Sequence, residues 1–263
     1  MARIEGLGWA VSALLVLGAQ QPPPGGLSPQ EEKAWRAIVP GAPLAGTNPA
    51  APRKPDLGDA KVVQIALVGN SLSVYHPELQ KLLDANPPGG RKYVVTTHWI
   101  AGGLTRDWLG DKGKPHLEKI LALPRPVIAL VTETNNRAFE IRQADLKDEN
   151  YRRFVEQSEQ LADLLHADGK GVVMGYFSAH RYEPDDLHSK PNQTILAENK
   201  AIADLLTLAG SHKKGYLKAG PAQFELNYLK GLSAYEKDKI HLSAEGRALA
   251  AECWYALLKR ELE

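Results

Sequence analysis

An apolar run with one Gln, VVQIALV, occupies residues 62–68 and stops at Gly69-Asn70-Ser71. A strand with one solvated face alternates apolar and polar residues, whereas a strand that is buried on both faces is apolar throughout. Strands of the second kind occur mainly in parallel sheets, which helices cover on both sides. The run therefore predicts a central strand of an α/β protein.

The rest of the folded region alternates between strand and helix patterns. Further strands are predicted at residues 93–100, 127–132, 171–177 and, more weakly, 215–218. Helices are predicted at residues 77–85, 116–123, 151–167, 195–208 and 243–261. This alternation favours a three-layer α/β/α sandwich with a mostly parallel sheet of five strands.

The same patterns predict which side chains are buried. In the helix at residues 151–167 the inner stripe consists of Phe154, Leu161, Leu164 and Leu165. On the second strand, His98 and Trp99 are expected to be packed rather than catalytic. Cys253, the single cysteine, lies in an apolar helical pattern and is expected to be a small core residue.

Composition gives no support for a function in nucleic-acid binding. The 263 residues are 43% hydrophobic, which is enough for one substantial core. Charged residues make up 24% and the formal net charge is +1, so no basic or acidic excess indicates nucleic acid as a partner. We expect a small-molecule or carbohydrate substrate and no cofactor.

The N-terminal region has the composition of an export signal and a tether. Arg3 precedes an apolar stretch that is too short to span a bilayer, and small residues at its end suit cleavage after residue 19. A buried N-terminal helix is the alternative. Residues 20–58 are rich in Pro and Gly, with a short helix predicted after Ser28. We therefore expect a signal peptide at 1–19, a linker at 20–58, an exported protein and a folded domain at 59–263.

Residues with catalytic chemistry follow the predicted strands and precede the last helix. Ser71 comes directly after the first strand, and Asp238 and His241 come just before the helix at 243–261. Serine, aspartate and histidine in this chain order are the parts of a hydrolytic triad. Each residue also has an ordinary explanation: Ser71 could cap a helix, His241 could only lead into the last helix, and Asp238 could be a solvated charge.

Four short motifs resemble those of the GDSL/SGNH hydrolase superfamily, in its order along the chain. They are Gly69-Asn70-Ser71-Leu72, Gly103-Leu104-Thr105, Thr134-Asn135-Asn136 and Asp238-Lys239-Ile240-His241. The resemblance implies a flavodoxin-like sheet and esterase or lipase activity. It also implies that Ser71, Asp238 and His241 are catalytic. The oxyanion hole would consist of the N–H groups of Ser71 and Gly103 and the side-chain amide of Asn135.

The third motif departs from the family pattern at two positions. Glu133 stands where the family usually has Gly, and Asn136 stands where it usually has Asp. A binding domain that keeps the fold without catalysis therefore stays open as an alternative.

The loop after the fourth strand is rich in histidine and carboxylate residues. It runs from His180 to His188, and its composition leaves a metal-dependent hydrolase as a second alternative. Our expectation is that no metal is bound and that His180 and Arg181 contact substrate at the rim of the site.

Overall fold

The computed structural model of the protein describes residues 51, 54–133, 146–179, 202, 204–221, 231–238 and 241–263. The predicted signal peptide and almost all of the predicted linker lie outside these residues. Within the described part of the chain, no helix is both long and apolar enough to cross a membrane.

The described residues form one parallel sheet of five strands. The strands are β1 (Val62–Gly69), β2 (Lys92–Trp99), β3 (Val127–Glu133), β4 (Met174–Ala179) and β5 (Leu217–Ala219). Their order across the sheet is β2-β1-β3-β4-β5, and each neighbouring pair is parallel. This is the flavodoxin-like order. The predicted fold class is therefore confirmed.

Helices cover both faces of the sheet. They are α1 (His76–Ala85), α2 (Thr105–Trp108), α3 (Lys114–Leu121), α4 (Glu149–His166), α5 (residues 204–211) and α6 (Ala244–Leu262). Helices α1 and α6 pack against each other, as do α2 and α4, and α3 also contacts α4. Ser243 caps α6, since its side chain accepts the N–H of Gly246.

The central strand β1 sits in the core. Every residue from Val63 to Val68 is buried, including the polar Gln64. Because Gly69 pairs with Trp99 and Val68 pairs with Val131, the carboxyl ends of β1, β2 and β3 lie at one edge of the sheet. Sites in parallel α/β sheets form at this edge.

Two side chains that were predicted to be packed are exposed. Leu164 on α4 is 44% exposed, and Trp99 is 42% exposed because it is the last residue of the edge strand β2. His98 and Cys253 are buried as expected.

Strand β4 begins three residues later than predicted. The backbone N–H groups of Gly171 and Val172 donate to the carbonyls of His166 and Leu165 at the end of α4. Residues 171 and 172 therefore satisfy the C-terminal carbonyls of the helix instead of extending the sheet. The apolar pattern alone does not distinguish these two uses of the backbone.

Candidate active site

Three polar side chains meet above the carboxyl edge of the sheet. Ser71 Oγ lies 3.0 Å from His241 Nε2, and His241 Nδ1 lies 2.6 Å from Asp238 Oδ2. The structure thus brings together Ser71, Asp238 and His241, although 170 residues separate the serine from the histidine. The three side chains form one continuous hydrogen-bonded series.

The chemistry of the partners fixes the histidine tautomer. An ionised aspartate can only accept hydrogen bonds, so Nδ1 of His241 donates to Asp238. The other ring nitrogen, Nε2, then has a free lone pair in the neutral imidazole and accepts the hydroxyl proton of Ser71. This polarity is the one that a general base requires.

Ser71 lies in a tight turn of residues 69–73, here called the serine turn. Asn70 caps it: its side-chain oxygen accepts the N–H of Leu72 at 2.9 Å, and its carbonyl accepts the N–H of Ser73 at 3.0 Å. The amide nitrogen of Asn70 donates to the carbonyl of Gly103 at 3.2 Å. Asn70 therefore holds both the serine turn and the loop that follows β2.

The backbone of Gly69 is tightly enclosed. A Cβ atom at this position would lie 2.2 Å from Ser73 Oγ and 2.8 Å from the carbonyl oxygen of Thr132, so only glycine fits without a shift. Its own carbonyl oxygen accepts two hydrogen bonds, from Trp108 Nε1 at 3.2 Å and from the Ile100 N–H at 3.1 Å.

Asp238 and His241 lie in a separate segment, here called the histidine loop, of which residues 235–238 and 241–242 are described. Its ends are joined by an antiparallel bridge between Tyr235 and Leu242, and the Glu236 N–H donates to the carbonyl of His241 at 2.8 Å. The His241 N–H donates to Asp238 Oδ1 at 3.0 Å. Asp238 is thus bound to both the backbone and the ring of His241.

The part of the site that carries His241 and Asp238 is open to solvent. The side chains of His241 and Asp238 are 47% and 48% exposed, whereas Asn70, Leu72 and Ser73 are buried. A small cavity behind the serine turn is lined by residues that include Gly69, Gly103 and Trp108. Trp108 is buried and lines this cavity.

The predicted oxyanion donors are placed differently. Within the described residues no hydrogen bond satisfies the Ser71 N–H, which lies next to the Ser71 hydroxyl. The Gly103 N–H instead donates to the carbonyl of Ile100 at 2.8 Å and closes a turn. Asn135 and Asn136 lie outside the described residues. Of Glu133, the structure describes the backbone, which pairs with Ala179 at the end of β3.

The predicted substrate-contacting residues His180 and Arg181 also lie outside the described residues, as does the rest of the loop to His188. Among the residues that the structure describes, no group of three His, Cys, Asp or Glu side chains is arranged to hold a metal ion.

Two residues next to the site were not found by sequence reasoning. Arg247, in the first turn of α6, contacts both the histidine loop and Glu78 of α1. No local pattern indicated this pair, because the two residues are 169 positions apart.

Comparisons with known proteins agree on the fold. A lipase from a goat rumen metagenome is similar at a TM-score of 0.55 and 13% identity, over 76% of this chain and 100% of the lipase. An acetylxylan esterase from Geobacillus stearothermophilus is similar at a TM-score of 0.50 and 15% identity, over 75% of this chain and 93% of the esterase.

A third chain, from Slackia heliotrinireducens, carries an SGNH hydrolase assignment. Its TM-score is 0.46 at 16% identity, over 74% of this chain and 97% of that chain, which is too distant to support the fold by itself. No protein-family model matches the sequence, and a comparison with curated proteins finds no match.

The strand order and the two closer structural matches therefore agree with the resemblance of the four motifs. The chain shares the parallel α/β fold of that lipase and that acetylxylan esterase.

Proposed function

We propose that the protein is a serine hydrolase that cleaves carboxylic esters through an acyl-enzyme on Ser71. The observation that carries this proposal is the hydrogen-bonded series from Ser71 Oγ through the His241 ring to the Asp238 carboxylate. A serine that lacks a base is a weak nucleophile, and this geometry supplies the base and the group that orients it.

The reaction begins with attack of Ser71 Oγ on the ester carbonyl carbon while His241 Nε2 takes the hydroxyl proton. Asp238 holds the ring and stabilises its charged form. The tetrahedral intermediate then collapses, and His241 returns the proton to the departing alcohol. Water attacks the acyl-enzyme with His241 again as base, which releases the acid and regenerates Ser71.

The negative charge on the substrate oxygen needs hydrogen-bond donors. The Ser71 N–H has no partner among the described residues and is the first donor in this proposal. The Gly103 N–H can be the second if the oxyanion shares it with the carbonyl of Ile100 or displaces that carbonyl. The side-chain amide of Asn135 is proposed as the third.

The substrate proposed is an ester with an accessible acyl group, such as an acetyl group on a carbohydrate. The exposure of His241 and Asp238 favours an open site that accepts a bulky alcohol portion. One structural neighbour is an acetylxylan esterase, which supports acetylated carbohydrates as the proposed substrate class. His180 and Arg181 are proposed to contact the alcohol portion.

The first test is hydrolysis of p-nitrophenyl acetate, butyrate and octanoate by the wild type and Ser71→Ala. We expect activity in the wild type that Ser71→Ala abolishes, and covalent labelling of Ser71 by a fluorophosphonate. Ser211→Ala is the matched control, because Ser211 is exposed and bonds only to Leu208 of its own helix in the described structure. Equal activity in Ser71→Ala and wild type would show that Ser71 is not the nucleophile.

The same test separates the alternatives. A folded wild type that neither hydrolyses these esters nor reacts with the fluorophosphonate would favour a binding domain. Loss of activity in a chelator, with Ser71→Ala still active, would favour the metal-dependent reaction at the loop from His180 to His188.

We propose in addition that residues 1–19 direct export and that residues 59–263 form the catalytic domain. The N-terminal sequence of the protein recovered outside the cytoplasm tests the first of these. An N-terminus at residue 20 is expected, and an intact Met1 would contradict the prediction.

A further inference from the structure

The Ser71–His241 hydrogen bond joins two segments that are far apart in the chain. Ser71 precedes α1 by five residues, and His241 precedes α6 by three. The relative position of the two side chains therefore depends on how α1 and α6 are fixed to each other near the site.

Arg247 makes a polar connection between these helices at the end that faces the site. Its Nε donates to Glu78 Oε1 of α1 at 3.0 Å, and its Nη1 donates to the carbonyl oxygen of Leu242 at 3.1 Å. Leu242 directly follows His241. One planar guanidinium thus binds the first turn of α1 and the histidine loop at the same time, and its fork fixes the angle between them.

Both partners are partly shielded from solvent. The side chains of Arg247 and Glu78 are 30% and 28% exposed, and Glu78 Oε2 is buried without a partner in the described structure. A pair in this environment is screened less than a fully exposed one. The carboxylate therefore holds the guanidinium in place.

The first turn of α6 has little room to move against Ala234, the residue that directly precedes the histidine loop. A Cβ atom on Gly246 would lie 2.0 Å from the carbonyl oxygen of Ala234, and Ser243 N–H donates to that same oxygen at 3.0 Å. The histidine loop and α6 therefore move together. The position of the histidine loop relative to Ser71 then depends on the contact between α6 and α1.

We propose that Arg247, held by Glu78, is a positioning residue that sets the Ser71–His241 distance for catalysis. This inference rests on the proposed function. Arg247 lies outside the Ser71, His241 and Asp238 series and acts through the carbonyl of Leu242 and the first turn of α1.

The test compares Arg247→Met and Arg247→Lys with Tyr255→Phe. Tyr255 is the matched control because its hydroxyl also connects α6 to α1, by donating to the carbonyl of Asn86 at the end of α1 farther from the site. We expect Arg247→Met to lower kcat about tenfold to a hundredfold with KM changed less than about twofold, since a small misplacement of reacting groups costs that much.

The kcat of the other variants should depend on how many of the guanidinium hydrogen bonds they keep. A lysine can reach Glu78 or Leu242 but does not reproduce the two fixed donors, so Arg247→Lys should fall between Arg247→Met and wild type. Tyr255→Phe should keep kcat within about twofold of wild type, and the rate of fluorophosphonate labelling at Ser71 should follow kcat in every variant.

A readout without turnover separates this inference from the proposed function. The NMR signal of the His241 ring, at fixed pH, should shift on Ser71→Ala in the wild-type background and shift much less on Ser71→Ala in the Arg247→Met background. That result supports the inference even if no ester is hydrolysed. Equal shifts in both backgrounds would overturn it, as would a folded Arg247→Met with wild-type kcat or a Tyr255→Phe with the same loss.

Discussion

The serine turn and the histidine loop hold their halves of the site by different means. In the serine turn, Asn70, Leu72 and Ser73 are buried. The Asn70 side chain accepts a hydrogen bond within the turn and donates one to the loop after β2. In the histidine loop, Asp238 and His241 are about half exposed, and backbone hydrogen bonds across its own ends hold it closed.

This difference has a consequence for mutagenesis. A buried polar group that loses its partner costs about 1–3 kcal/mol, whereas an exposed one is solvated again. Changes in the serine turn should therefore lower stability and activity together. Changes of the exposed side chains in the histidine loop should lower activity alone.

Asp238→Asn should give the largest effect and should leave stability unchanged. Asparagine still offers an oxygen to the His241 N–H, but its amide cannot accept the Nδ1 proton on the other side. The ring then loses the tautomer that accepts the Ser71 proton, for which a fall in kcat of about 10⁴ is typical. Kinetics with p-nitrophenyl acetate measure kcat, and a thermal unfolding curve measures stability. A large loss of stability would contradict the expectation that changes in the histidine loop lower activity alone.

Asn70→Ala should show the opposite behaviour, with stability and activity both reduced. It removes the acceptor for the Leu72 N–H and the donor to the Gly103 carbonyl, in a residue that is 4% exposed. We expect about 2–3 kcal/mol less free energy of unfolding, measured in urea, together with a reduced kcat. Asn86→Ala, at the exposed end of α1, is the control and should change neither. A fully stable Asn70→Ala would show that the turn is held by other contacts.

The fold was predictable because its signals are local. The apolar runs that became β1 and β3 are continuous, and the glycine and polar residues at their ends mark where the strands stop. Ser71, Asp238 and His241 could be grouped from chain order and from the rule that sites form at the carboxyl edge.

The features that were missed depend on contacts that the periodicity of one segment does not describe. Gly171 and Val172 read as strand residues, but their N–H groups cap α4, and Trp99 is exposed because β2 is at the edge of the sheet. The Glu78–Arg247 pair joins residues 169 positions apart, and neither residue carries a local pattern. Sequence periodicity describes one segment at a time and contains no information about such pairs.

His98 makes the stability of the folded protein dependent on pH. It pairs in register with Val68, just before the serine turn, and burial together with the nearby His116 and Lys119 lowers its pKa from 6.5 to about 4. The unfolded chain therefore binds a proton more readily than the folded protein. This stability is fully present above about pH 6.5 and is lost as the pH falls toward 4.

We expect wild-type protein to lose about 2 kcal/mol between these pH values through His98, after allowance for solvent screening. Urea unfolding of wild type and His98→Gln at a series of pH values measures it, because glutamine does not titrate. The difference in free energy of unfolding between the two proteins should change by that amount across the range. A constant difference would show that His98 is protonated as easily in the folded protein as in the unfolded chain.

Trp108→Phe should give the smallest effect, because the Gly69 carbonyl loses one hydrogen bond and keeps another. Trp108 Nε1 donates to Gly69 O, but the Ile100 N–H donates to the same oxygen, so no buried acceptor becomes unsatisfied. Phenylalanine also keeps an aromatic ring beside His116. We expect a loss of about 1 kcal/mol in the free energy of unfolding and a kcat within about threefold of wild type.

Trp99→Phe, on the exposed end of β2, is the control and should leave both unchanged. If Trp108→Phe lowered kcat as much as Asn70→Ala, the indole N–H and not the Asn70 side chain would be the main support of the serine turn.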